Sequence, residues 1–106
     1  MAEFVEARRV VVIAESVLFE ELISKFVELG AKGYNAVYCF GKGEHGIVED
    51  MFSNPDRACV RIEMITTQEV ACAIMDYVHR EGVQRYPITA FADTVEVDSR
   101  DTFYRR

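Results

Sequence analysis

Residues 9–40, RVVVIAESVLFEELISKFVELGAKGYNAVYCF, decide the fold. Arg9 to Ala14 is a short β-branched run of the kind found in a strand covered on both faces. From Val17 the period changes. Phe19, Leu22, Ile23, Phe26 and Val27 recur at three and four, which draws an apolar stripe along one side of a helix. Ser16 is the expected N-cap and Gly30 the stop. Tyr34 to Phe40 is aromatic, β-branched and small, without helical spacing, so a second strand is expected there. The unit reads strand, helix, strand.

The same unit returns after a break. Cys59 to Met64, CVRIEM, sets Val60, Ile62 and Met64 on one face against Arg61 and Glu63 on the other, as a half-buried strand does. Thr66, Thr67, Gln68 and Glu69 form a capping box, and Val70, Ala73, Ile74, Tyr77 and Val78 carry a second helix to an end near Gly82. Pro87 marks the entry to a last strand, Ile88 to Val97, whose alternation changes phase at Asp93 and Thr94, so a bulge is expected there. Two strand-helix-strand copies, displaced by roughly fifty positions, describe an α+β chain of the ferredoxin-like βαββαβ sandwich type with an antiparallel sheet. Residues 1–106 make a single domain. Helices on one face leave the other face of the sheet to be covered. Apolar or aromatic residues occupy both faces of the second strand, Tyr34, Ala36, Tyr38 and Phe40 against Val37 and Cys39, and this predicts self-association.

Charge and composition narrow the function classes. Twelve basic residues against 18 acidic ones give a net charge of −6, which disfavours a general attraction to nucleic acid or anionic lipid. Any anion must be captured by a local cluster. The longest unbroken apolar run, Val10 to Ala14, is far short of a membrane span, and MAEFVEARR does not resemble a secretory leader, so a cytoplasmic protein is expected. Cys39, Cys59 and Cys72 are an odd set without a CxxC pair, which argues against a disulfide framework and a structural zinc site and leaves buried free thiols as the expectation.

The break between the two copies is the most unusual feature. Residues 41–56, GKGEHGIVEDMFSNPD, hold three glycines, one proline and five charged residues, a long connection for two adjacent antiparallel strands. Its apolar residues Ile47, Val48, Met51 and Phe52 have two readings: docking on a partner, or packing against their own sheet. Gly41-Lys42-Gly43 lets backbone N–H groups turn toward one anion beside a lysine charge, although it lacks the spacing of a P-loop and no helix follows it; a solvated hairpin is the other reading. Arginines sit at the ends of elements, namely Arg8, Arg9, Arg57, Arg80, Arg85, Arg100, Arg105 and Arg106. Most are expected to be surface charges. Arg100 stands out, because just after the last strand it is a candidate to meet the Gly-Lys-Gly turn, and guanidinium binds phosphate bidentately. His79 reads as a cation near a helix C-terminus, and His45, in the glycine-rich loop, as a ligand contact without metal partners. Glu20-Glu21 and Glu49-Asp50 read as solvated surface, and no catalytic constellation is legible.

With these residues in view, the chain resembles the PII-like signalling proteins, in particular the branch associated with bicarbonate transport and carboxysomes. The likeness runs through RVVVIAESVLFEELISKFVELGAKGYNAVYCFGKG to the closing VEVDSRDTF, and is most specific at Ala31 to Gly43 and Arg100 to Phe103. It implies a homotrimer with nucleotide clefts between subunits, a mobile loop at about 42–56 and a C-terminal tail at 98–106. It further implies that Gly41, Lys42 and Gly43 cradle phosphates, that Arg100 helps from the other side, and that Glu15 and His45 lie beside the nucleotide. The implied regulatory ligands are ADP, AMP or ATP, with bicarbonate as a second ligand in some members. No cofactor or metal is implied. The implied partner is a bicarbonate transporter or a carboxysome-associated protein, so the membrane enters only through a transporter.

Two departures modify that expectation. HREGVQRYP stands where the original PII proteins carry a glycine-rich ATP loop, which favours ADP or AMP over ATP. Residues 42–56 contain no tyrosine, so the uridylylation of the original family has no acceptor there. The rival reading is a trimeric CutA-like metal-binding protein with Cys39 and His45 as its soft ligands, for which a third ligand is lacking.

Overall fold

The computed structural model describes residues 2–40, 58–84 and 87–100. Strands β1 (Phe4–Glu15), β2 (Asn35–Cys39), β3 (Cys59–Thr66) and β4 (Thr89–Asp98) alternate with helices α1 (Phe19–Leu29) and α2 (Gln68–Gln84). The sheet order is β2-β3-β1-β4, with every neighbouring pair antiparallel. This is the expected βαββαβ sandwich.

Register divides the side chains cleanly. Val10 lies opposite Met64 and Ala92, Val12 opposite Ile62 and Ala90, and Ala36 opposite Ile62, so the even-numbered strand residues share one face. On that face they pack with Leu22 and Phe26 of α1 and Ala71, Ile74, Tyr77 and Val78 of α2. Phe26 meets Tyr77 edge to face, with ring centroids 6.3 Å apart, an arrangement that contributes about 0.5–1.5 kcal/mol beyond the area buried. Val27, expected in the α1 stripe, is instead exposed. Gly30 ends α1 with φ at 120°, its N–H donating to Val27 while Ala31 donates to Phe26. A Cβ at Gly30 would stand 2.8 Å from Cγ2 of Val70, so glycine also lets the end of α1 approach the start of α2.

Several local expectations need correction. β1 starts at Phe4, five residues before the β-branched run, because the mixed segment FVEARR is held by a ladder to β4 rather than by its own propensity. Ser16 opens a 3-10 turn, Ser16–Leu18, and the N-cap position of α1 is Leu18. At α2 the cap is Thr67, whose Oγ1 accepts from the Val70 N–H at 3.2 Å; Thr66 belongs to the end of β3, and its hydroxyl is buried. His79 is exposed and lies before the last turn of α2, which holds no basic residue, so the helix-end role fails. No bulge interrupts β4. Its pairing with β1 runs unbroken from Phe4↔Asp98 to Ile13↔Thr89, and the change of phase has another cause.

That cause lies on the face away from the helices. Val5, Ala7, Val11 and Ile13 of β1 share it with Phe91, Val95 and Val97 of β4 and with Ile65 of β3. In its middle Arg9 makes a bidentate contact with Asp93, Nε to Oδ1 at 3.0 Å and Nη2 to Oδ2 at 2.8 Å, and reaches Glu63 at 3.3 Å. Asp93 therefore answers an arginine directly opposite it. Val11 is wholly buried on this face and Ala7 nearly so, although neither belongs to the helix-side core.

Candidate functional site

Expected site residues fall at the two ends of the sheet. Glu15 closes β1 at the level of Cys59 on β3, which in turn faces Cys39 on β2. Ser16 ties this corner together, its N–H donating to the Ala58 carbonyl at 2.6 Å. At the same end Phe19, Ala36, Val37, Tyr38 and Val60 line a largely apolar recess of about 200 Å³. Tyr38 and Phe40 are 71% and 67% exposed, so the aromatic character expected of β2 is present on the surface. Gly41, Lys42, Gly43 and His45 follow directly in sequence and lie outside the described residues, as do the apolar residues of 47–52.

Arg100 is at the opposite end. β4 finishes at Asp98, opposite Phe4, and the chain turns there with the Ser99 N–H donating to the Glu3 carbonyl at 2.9 Å. Ala2, Glu3, Asp98, Ser99 and Arg100 surround an open recess of about 360 Å³. The guanidinium is exposed and engaged locally, with Nη2 at 3.0 Å and Nε at 3.3 Å from the Asp98 carboxylate, while its backbone N–H donates to the same group at 2.9 Å. These bonds hold the Asp98 carboxyl below the usual carboxylate range, the side-chain contact of Arg100 being the larger cause and its backbone N–H the next. A phosphate at this place would compete with Asp98 for the arginine.

The distance between these ends decides what one chain can do. Glu15 and Phe4 are the two ends of a 12-residue strand, about 36 Å apart at the usual rise. Lys42 stands three residues beyond Cys39 and so reaches at most about 11 Å from it. The expected pairing of Lys42 with Arg100 on one phosphate cannot be made within a single chain. It requires two.

The charged network on the open face was not legible as such, since Arg9 reads in sequence as one of eight element-end arginines. The signal that finds it is the break in alternation at Asp93. Arg9 holds the Asp93 carboxyl below its ordinary range, chiefly through the direct hydrogen bond, and Arg61 closes the network at 3.6 Å from Glu63. Arg8 instead donates to Thr94 Oγ1 at 2.7 Å on the helix side. The cysteines also depart from expectation: Cys59 is buried, Cys39 half-buried and Cys72 exposed, and all are free thiols. Among the described residues no three His, Cys, Asp or Glu side chains gather as metal ligands, and no helix is long and apolar enough to cross a membrane.

Comparison with known proteins agrees with this architecture. A family model described as nitrogen regulatory protein P-II matches residues 7–100. No curated protein matches the sequence. Among solved structures, a PII-like signalling protein of Thermus thermophilus superposes with a TM-score of 0.76 at 30% identity, covering 90% of this chain and 92% of that one. CPII of Thiomonas intermedia, a PII-like protein crystallised with ADP, AMP and bicarbonate, gives 0.78 at 22% identity, covering 90% and 91%. The GlnK–ATP complex of B. subtilis gives 0.61 at 11% identity, covering 85% and 82%.

Proposed function

Because the chain belongs to the P-II family of nitrogen regulatory proteins, as a PII-like signalling protein, we propose that it is a non-catalytic regulator that binds ADP or AMP in clefts shared between copies of itself. The observation that carries this reading is the separation of the two candidate half-sites. The end of the sheet near Glu15 offers an apolar recess suited to a nucleobase, and Gly41-Lys42-Gly43, the residues read as phosphate-binding, follow β2 in sequence. The far end offers Arg100, a bidentate anion partner. Neither end has both, so a second copy must supply the missing part.

The open sheet face supports such an arrangement. Its apolar residues flank a charge network that neutralises itself, two arginines against two carboxylates, and a face of that composition can be buried without stranding a charge. A closed trimer places three such clefts between subunits and is the assembly proposed here. CPII, which shares the fold, holds ADP, AMP and bicarbonate in its crystals, and this favours the same ligands for the present chain. On this reading Glu15 and His45 lie beside the nucleotide, and residues 42–56 report its presence to a partner in inorganic-carbon uptake or carboxysome function. The ligand acts through the difference in its affinity for two states of that segment.

Calorimetry tests the reading directly. Lys42→Ala and Arg100→Ala should each weaken ADP binding by about ten- to a hundred-fold, the usual effect of losing a charged hydrogen bond, while the assembly stays intact by light scattering. Unchanged affinity in both variants would remove the site.

A further inference from the structure

Cys39 and Cys59 are register partners across β2 and β3, placed opposite one another at the last pair of the ladder and on the same face of the sheet. Opposed residues of an antiparallel pair have Cα atoms about 4.5–5.5 Å apart, inside the window of about 4.4–6.8 Å that a disulfide requires. Their exposure is graded: Cys39 is half-buried and Cys59 is buried. They also bracket residues 40–58, so a bond between them would join both roots of that segment.

We propose that Cys39 and Cys59 are a reversible thiol–disulfide site, oxidised by a small disulfide of the glutathione class. The thiolate of Cys39 attacks one sulfur of the oxidant, forming a mixed disulfide and expelling one thiolate. The thiolate of Cys59 then attacks Sγ of Cys39, closing the protein disulfide and expelling the second. Two protein thiols lose two electrons, the oxidant gains them, and the two thiol protons leave with the two small thiols. Burial first, and the contact with Cys59 second, push the Cys39 thiol up to about 11, with Arg61 pulling the other way. Thiolate is therefore scarce at neutral pH, and the exchange takes minutes to hours, which suits a stored redox state better than rapid turnover.

The test uses the full chain, reduced, exposed to oxidised glutathione and then alkylated. Trypsin cuts after Lys32, Lys42, Arg57 and Arg61, so the expected product is GYNAVYCFGK joined to ACVR, two mass units below the sum of the free peptides. The cross-link should persist in Cys72→Ser and vanish in Cys39→Ser and Cys59→Ser, with a stable glutathione adduct on Cys39 in the latter. The oxidised form should unfold about 10 °C higher, and dithiothreitol should reverse the shift. Glutathione adducts on Cys39 of the parent without closure, a cross-link that forms only in urea, or modification confined to Cys72 would each overturn the proposal.

Discussion

Mixing two disabled variants tests the shared cleft more sharply than either variant alone. In one chain, Lys42 can approach Arg100 by no more than about 11 Å from the end of β2, against about 36 Å of strand that separates the two ends of the sheet. The remaining gap of about 25 Å is more than two outstretched side chains close to hydrogen-bond range. Lys42→Ala and Arg100→Ala should therefore complement each other. When equal amounts are unfolded together and reassembled, a cleft is intact only if its lysine comes from one variant and its arginine from the other, which happens at about one site in four. Calorimetry should find that fraction binding ADP with parental affinity, with native mass spectrometry confirming mixed assemblies. Mixed assemblies without any recovered sites would refute the two-chain cleft. Parental affinity in either variant by itself would refute the participation of that residue.

Two further expectations concern the scaffold. Gly30→Ala forces a Cβ onto a φ of 120° and 2.8 Å from Val70 Cγ2, and should lower unfolding stability in urea by about 1–3 kcal/mol; adding Val70→Ala should return only the contact part, and full recovery would show that the backbone is unstrained. Arg9 depresses the Asp93 carboxyl, so its contribution is fully present above the unfolded carboxylate's titration near about pH 4 and is lost as pH falls through the lower folded value. Melting temperatures of the parent and Asp93→Asn should accordingly differ at pH 6 and converge in acid; a difference that stays constant with pH would show that the pair carries no linkage.

The fold was legible because its elements are amphipathic in the simplest way. Val10, Val12, Ile62 and Met64 alternate, Leu22 and Phe26 recur at helical spacing, and these same side chains form the core. Local signals misled where a tertiary contact outweighed them. Thr66 heads a sound capping box, yet the ladder to Arg8 keeps it in β3, and the next threonine caps instead. The Asp93-Thr94 phase change looked like a bulge because a charge on a sheet face is normally solvated, and nothing local announces that Arg9 stands opposite it, 84 positions away. The candidate site was legible as residue types and not as geometry. Glu15 and Arg100 are each where their strands end, but that those ends are opposite follows only from the antiparallel order β2-β3-β1-β4.

On the proposed reading, that order would tie binding to assembly. Strands β1 and β4 run antiparallel, so Ser99 and Arg100 lie at the end of the sheet where β1 begins, while β2 finishes with Cys39 at the end where β1 finishes, and Gly41-Lys42-Gly43 follow it in sequence. Lengthening either strand moves the half-sites further apart, and no loop in the described chain brings them together. On the two-chain reading proposed above, a ligand that needs both is held only where a neighbour presents the opposite end of its sheet. Occupancy of the cleft and the stability of the assembly then share one free energy: ADP present at a hundred times its dissociation constant should stabilise the assembled form by about 2.7 kcal/mol per site relative to chains that cannot bind it.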